Sequence, residues 1–368
     1  MNQLWAPCIN KKLNSDILIN IFGYCDVEVI NVCKLWKNVI LESEYLWELW
    51  YKQKWTTQIY QGNWKNIYLK MNRLDNNWFN NICHQTTFYE NTWVLHSKII
   101  DNYIITSSKW GLIKLWKIDQ LKNMYPQVYS GHLGPVSCID FDVKNKVIIS
   151  GSHDGTIRIW DFDDNYYKKM LTHHHSEVYF LKYHDNKIYS CSKDNTLKIY
   201  NLTNNNIESL IGHLNSVWSF DFDKDYNIYS CSLDGTIKFW KKTENSYSCQ
   251  DTLKICDHSV LKVCYKDEYL FVGTWDGTLS VYYKHQKIYT IKLHLSFISS
   301  MDIINDKLIT AGFDNQIKIF KVIFYPEFKL ILRNIITSDK ITSISTNNTS
   351  LLTTNTQGKI NFYNFDRI

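Results

Sequence analysis

The sequence predicts a mainly β fold: a seven-bladed β-propeller preceded by a small α-helical module. The first observation is a twelve-residue phrase, Ile149 to Trp160, that reads strand, tight turn, strand. It recurs at Tyr189–Tyr200, Tyr229–Trp240, Phe271–Tyr282 and Ile309–Phe320, with fainter copies at Ile105–Trp116 and Leu352–Tyr363. The second is the spacing of the closing aromatics Trp116, Trp160, Tyr200, Trp240, Tyr282, Phe320 and Tyr363, which fall 38–44 residues apart. Self-similarity at that period marks a radial array of four-stranded blades, and seven phrases give seven blades. The third is a change of period before residue 90, where apolar residues follow helical rather than strand spacing.

In chain order, residues 1–12 form an N-terminal tail and residues 13–56 three short helices. The first carries Ile17, Leu18, Ile21 and Phe22 on one face behind a cap at Asn14 or Ser15. The second carries Val32, Leu35, Trp36, Val39 and Ile40, and the third Tyr45, Leu46, Leu49 and Trp50. Helices of about ten residues need tertiary packing, so the bundle either caps the ring or docks a partner. Residues 57–80 place Trp64, Ile67, Tyr68 and Met71 at helical spacing and are almost free of Gly, Ser and Pro, as in a rigid spacer. The ring then occupies residues 81–368. Too few residues follow Tyr363 to supply an outer strand, so a strand near 82–89 is expected to complete blade seven.

The phrase and its period resemble the WD repeat. Moreover, Leu13–Phe22, Val32-Cys33-Lys34-Leu35-Trp36 and Tyr45-Leu46-Trp47 resemble the F-box in the order of its three blocks. Asn14 stands where that family usually has proline, and the stretch from Tyr24 to Val32 is shorter than its norm. An F-box ahead of WD repeats resembles the substrate receptors of SCF-type ubiquitin ligases. The resemblance implies that Leu13, Ile17, Leu18, Ile21 and Phe22 grip the ligase's adaptor subunit, and through it the cullin, while the ring presents a protein substrate. The alternatives are a WD-repeat scaffold without a ligase role and a decoy that binds adaptor but delivers nothing.

The same resemblance implies a buried hydrogen-bond set in the strong repeats. It comprises His132, Ser150, Asp154 and Trp160 in blade two, and His174, Ser190 and Asp194 in blade three. Blade four has His213, Ser230, Asp234 and Trp240, and blade six His294, Thr310 and Asp314. Blade five keeps Asp276, but Val272 breaks the set, and blades one and seven lack the aspartate. Three positions per blade match the family's contact points on one face. Among them Tyr179, Lys193, Trp218, Leu233, Trp275, Phe297 and Phe313 make an aromatic, substrate-binding cluster over blades three to six, with Lys109 and Lys340 nearby. None of the four arginines, Arg73, Arg158, Arg333 and Arg367, falls on these positions. Since bidentate phosphate recognition favours arginine, an apolar or aromatic target with acidic character is expected rather than an obligatory phosphopeptide.

Several classes are disfavoured. The net charge of +5 is spread along the chain with no basic block, so no nucleic-acid partner is expected. No run of about 18 apolar residues and no signal peptide are seen, so no membrane span is expected. The ten cysteines form no Cys-x-x-Cys pair; Cys191 and Cys231 share one repeat position on a strand facing the core, and Cys138 lies in another predicted strand, as small buried apolar residues do. These features point to a reducing compartment, cytoplasmic and/or nuclear. His173-His174-His175 invites a metal, but consecutive residues diverge and His174 is used by the repeat, so no metal or cofactor is expected. No constellation suits catalysis, and the chain is read as a non-enzyme subunit.

Overall fold

The computed structural model describes residues 40, 43–54, 63–123, 125–244, 246–324 and 327–366. The chain divides into two compact units, Met1–Ile82 and Cys83–Ile368. Leu13, Ile17, Leu18, Ile21 and Phe22, expected to grip an adaptor, lie outside the described residues.

In the first unit, α1 (Glu44–Lys54) and α2 (Trp64–Asn80) pack as a pair. Ser43 Oγ accepts from the Leu46 N–H at the start of α1. Asn63 caps α2 by accepting from the Asn66 N–H at 2.9 Å, which satisfies one of the orphan donors of a first turn. The Tyr68 ring lies 5.4 Å from Trp47 and 6.3 Å from Trp50, and Trp64 lies 5.4 Å from Tyr51. The helix read as a spacer is therefore packed into the helical unit. Its apolar stripe of Tyr68, Met71, Leu74 and Trp78 is buried, which the composition of 57–80 alone did not reveal. Among the described residues no helix is long and apolar enough to cross a membrane.

The second unit is a ring of seven four-stranded antiparallel sheets. Blade one begins with the inner strand Val94–Ile100, blade two with Val136–Asp142, blade three with Val178–His184 and blade four with Val217–Phe222. Blades five, six and seven begin with Val260–Lys266, Ile298–Ile304 and Ile341–Asn347. The repeated phrase supplies the second and third strands of each blade, as in Val147–Ser152 and Ile157–Asp161. Its turn places Gly155, Asn195, Gly235, Gly277, Asn315 and Gly358 at positive φ, where Gly and Asn are least strained. The outer strand of blade seven is His84–Tyr89, paired antiparallel with Lys359–Asn364. Thr87 Oγ1 donates to Asn361 Oδ1 across that pair at 2.8 Å. Two chain segments far apart in sequence share one blade, and the ring has no open edge there.

Neighbouring blades are locked through the fifth residue of the inner strands. Asp140 accepts from the Tyr183 N–H at 2.9 Å, Asp221 from the Tyr265 N–H at 2.9 Å and Asp302 from the Thr346 N–H at 3.0 Å. These bonds join blade two to three, four to five and six to seven. Lys98 and Lys182 pair with Asp140 and Asp221. Ser345 Oγ accepts from the Ile99 N–H, joining blade seven to one. Between blades, buried side chains such as Ile148, Val178, Phe220, Val260 and Ile298 fill the wedge-shaped space. Cys138, Cys191 and Cys231 are fully buried there, and burial pushes the Cys138 and Cys231 thiols up to about 12, so they act as small apolar groups.

The buried hydrogen-bond sets form as chains of donors. In blade two the Trp160 indole N–H donates to Ser150 Oγ at 2.8 Å, and His132 Nε2 lies 2.7 Å from that hydroxyl. His132 Nδ1 lies 2.9 Å from Asp154. Because a carboxylate only accepts, Nδ1 carries the imidazole proton and Nε2 accepts from serine. Blade four repeats the chain with Trp240, Ser230, His213 and Asp234. Blades three and six keep the His–Ser/Thr–Asp part through His174 and His294. Tyr200, in the tryptophan position of blade three, turns its hydroxyl to Asn205 and Lys169.

Burial opposes ionisation of Asp154, Asp194 and Asp234. Hydrogen bonds from the imidazole, the threonine two residues on and the loop backbone outweigh it and hold these carboxyls well below the usual range. Asp276 is likewise brought down to about 2. A lowered folded-state pKa gives stability that is present above the unfolded value of about 4 and is lost as pH falls through the window below it. Asp302, raised by burial, works in the opposite sense, but it is outnumbered. Chemical unfolding midpoints should therefore be lower at pH 3 than at pH 7. Equal midpoints would contradict this reading of the turns.

Blade one solves the same problem with different residues. Glu90 occupies the histidine position, is 4% exposed, and accepts from the Thr106 hydroxyl. The Trp116 indole N–H donates to Thr106 Oγ1 at 3.1 Å, and Lys114 pairs with the other Glu90 oxygen at 3.1 Å.

Candidate functional site

On the face that carries the second-to-third-strand turns, one backbone hydrogen bond recurs in every blade. The residue before the turn aspartate, or before Trp110 and Gln357 in its place in blades one and seven, donates its N–H to the carbonyl of the residue just ahead of the inner strand. The pairs are Lys109 to Trp93, His153 to Pro135, Lys193 to Glu177, Leu233 to Ser216, Trp275 to Ser259, Phe313 to Phe297 and Thr356 to Lys340, at 2.8–3.1 Å. Each blade thus sets two side chains next to each other on the rim of the central channel. Their chemistry decides whether they engage one another or remain available.

Each inner strand also carries a register shift across its second residue. A bulge breaks the alternation of side chains, so in several blades residues two and three of the strand both reach the channel. The second residues Leu95, Tyr179, Trp218, Leu261 and Thr342 and the third residues His96, Phe180, Lys262, Ser300 and Ser343 line one cavity of about 420 Å³, which also takes in His153, Trp275, Phe297 and Phe313.

Two aromatic ladders stand on this cavity's wall. In one, over blades five and six, Trp275 stacks on Phe297 at 4.7 Å and 12°, Phe297 stacks on Phe313 at 4.6 Å and 20°, and the Lys340 ammonium lies 5.3 Å from the Phe313 ring. In the other, over blades two to four, Tyr179 lies 4.4 Å from Trp218 and 5.8 Å from His153. Trp275 remains 54% exposed despite its stack. Burial, then Glu177, pushes the Tyr179 phenol up, and burial pushes the His153 imidazole down. The cavity is thus lined largely by neutral apolar and aromatic groups. An exposed cluster of this kind suits a partner's apolar side chains.

Of the seven residues expected to bind substrate, Tyr179, Trp218, Trp275, Phe297 and Phe313 line the cavity. Lys193 does not: its ammonium is engaged by Glu177 at 2.7 Å, because the rim hydrogen bond makes those two residues neighbours. Leu233 is half-buried beside Ser216 and is likewise not part of the lining. Lys109 lies 4.3 Å above the Trp93 ring, so its charge is partly engaged.

Some exposed or channel-facing groups escaped sequence reading. Leu133, Leu214 and Leu295 directly follow the histidines of blades two, four and six and are 92%, 88% and 90% exposed. The repeated His-Leu pair was a visible signal for them. Lys262, His96 and Phe180 were missed because strict strand alternation turns a third residue away from the channel.

The histidine run holds no metal geometry. His173 stacks on Tyr200 at 5.3 Å, His174 bonds Asp194 and Ser190, and the His175 N–H donates to Asp194. Among the described residues no group of three His, Cys, Asp or Glu side chains is placed to hold a metal ion.

A family model described as WD domain, G-beta repeat, matches residues 124–161, 166–201 and 204–241. The F-box itself is not detected by a family model. The chain is 33% identical over 89 residues to the human F-box and WD repeat domain containing protein 10B, a segment that covers 24% of this chain and 11% of that protein. It shows the same identity over 89 residues to human F-box/WD repeat-containing protein 10, covering 8% of it. The human serine-threonine kinase receptor-associated protein is 40% identical over 47 residues, 13% of each chain. The match thus spans only a small part of these relatives' own length. Among solved structures, the WD40 beta propeller domain of Doa1 superposes with a TM-score of 0.65 at 19% identity, over 76% of this chain and 95% of that one. The fold is a seven-bladed β-propeller, and WD repeats are matched over three stretches between residues 124 and 241.

Proposed function

We propose that this chain is the substrate-recognition subunit of an SCF-type E3 ubiquitin ligase, itself non-catalytic. In this reading the helical N-terminal segment binds the adaptor and, through it, the cullin. The aromatic cavity of the ring binds a protein substrate in the cytoplasm and/or nucleus. The observation that carries the reading is the pair of ladders built on Trp275 and Trp218 around an open apolar cavity. The order of a helical module ahead of WD repeats, and the distant likeness to human F-box/WD repeat proteins, support the ligase assignment. Among the described residues no arginine lines the cavity, which favours an unphosphorylated target.

Co-purification of the full chain with adaptor and cullin tests the assignment. Association is expected for the unaltered chain and should be lost when Ile21→Asp and Phe22→Asp are introduced together. No association of the unaltered chain, or association indifferent to both substitutions, would instead leave a WD-repeat scaffold. Association without ubiquitin transfer to any captured protein would mark a decoy.

A further inference from the structure

Below the aromatic cavity lies a second one of about 360 Å³, and the two share His96, Phe180, Lys262 and Ser300 as lining residues. Lys262 therefore stands at the waist of the channel, at the floor of the apolar cavity. Its ammonium lies 4.8 Å from the Phe180 ring and forms no ion pair among the described residues. That separates it from its counterparts. In blades one and three the lysine sits two residues further along the strand, at Lys98 and Lys182, where Asp140 and Asp221 neutralise it. Blade five has Cys264 at that place and moves the cation up to the cavity floor. Burial pushes the Lys262 ammonium down, and the thiols around it, Cys138, Cys191, Cys231 and Cys264, are kept neutral by their own burial and offer no counter-charge. Of the carboxylates that line the lower cavity, Asp221 is taken by Lys182 and Asp302 by Thr346. Beside it, His96 Nδ1 is sealed from solvent and has no hydrogen-bond partner. Burial, then Lys262 and Lys98, push that imidazole down to about 3, so the ring is neutral.

A partly buried cation without a paired carboxylate lacks what Lys98 and Lys182 have elsewhere in this ring. A carboxylate delivered between the aromatic ladders would supply it, with a charge-assisted hydrogen bond from Lys262. We propose that the cavity binds a peptide segment in which an aromatic or branched apolar side chain fills the space between the ladders and a neighbouring Asp or Glu side chain descends to Lys262. This rests on the reading of the cavity as a protein-binding site and adds what it selects. The ladders span blades two to six, so a segment crossing the face can present both side chains at once.

The test is an array of heptapeptides with blocked ends, probed with the full chain. Each carries Trp, Phe or Leu with Glu at one to four residues' distance, beside a matched Gln peptide and an unblocked C-terminal carboxylate version. Glu peptides should bind on the order of tenfold more tightly than their Gln partners. Lys262→Met should erase that preference while keeping the residual affinity of the apolar side chain, and Lys262→Arg should retain it. Removing an uncompensated cation should leave the Lys262→Met chain at least as heat-stable as the parent, which checks that it folds. Equal binding of Glu and Gln peptides, a preference that survives Lys262→Met, or a requirement for the free C-terminal carboxylate would overturn the proposal. Binding that Trp218→Ala abolishes without any Glu preference would keep the cavity reading and sink this one. No peptide binding at all would sink both.

Discussion

Replacing Glu90 with alanine should lower the stability of the ring by about 3–5 kcal/mol, the cost of removing one partner from a buried ion pair. Glu90 is the only carboxylate against Lys114 among the described residues, and it also receives the Thr106 hydroxyl that in turn accepts from Trp116. Alanine strands an ammonium and a hydroxyl at once, in the blade that adjoins the point of ring closure. Glu90→Gln keeps an acceptor for Thr106 but loses the charge, so its effect should be smaller. Urea unfolding of the three chains checks the order: parent, then glutamine, then alanine. If alanine unfolds at the parental midpoint, blade one does not depend on this substitute for histidine.

The largest functional effect should come from the ladders. Trp218→Ala combined with Trp275→Ala removes the two indoles that line the cavity, one from each ladder. Truncation of a central aromatic anchor typically costs 2 kcal/mol or more, so loss of both should weaken peptide binding by at least roughly 30-fold. Trp275 is half exposed and neither indole belongs to a buried hydrogen-bond set, so the melting temperature should move little. Trp240→Ala is the contrast: its indole donates to Ser230 inside blade four, and its loss should destabilise the ring. Binding unchanged in the double variant would place the partner elsewhere on the molecule.

The ring was legible in the sequence because blades two, three, four and six repeat one solution: an Asp-Gly or Asp-Asn turn, a buried Ser or Thr and an aromatic strand end. The other three keep the aromatic strand end at the same period. Five of the seven proposed contact residues line the cavity for the same reason, since their positions are fixed relative to those landmarks. What escaped reading depends on departures from regularity. The bulge after the first residue of each inner strand brings Lys262 and His96 to the channel, and nothing in an alternating pattern announces a bulge. Glu90 was hidden because it replaces histidine by a different chemistry, accepting where His132 both donates and accepts. Lys193 was read as a substrate contact because its pairing with Glu177 follows from a rim hydrogen bond between residues 16 apart. The packing of α2 on α1 required knowing that Trp47, Trp50 and Tyr68 share one cluster.

The most direct test of the central claim, that a protein partner enters the aromatic cavity, is fluorine NMR of 5-fluorotryptophan-labelled chain titrated with the best-retained peptide of the array. Resonances assigned to Trp218 and Trp275 by single substitution should shift or broaden, while those of Trp160 and Trp240, enclosed in their hydrogen-bond chains, stay in place. Shifts confined to tryptophans outside the cavity, or none at saturating peptide, would contradict the account.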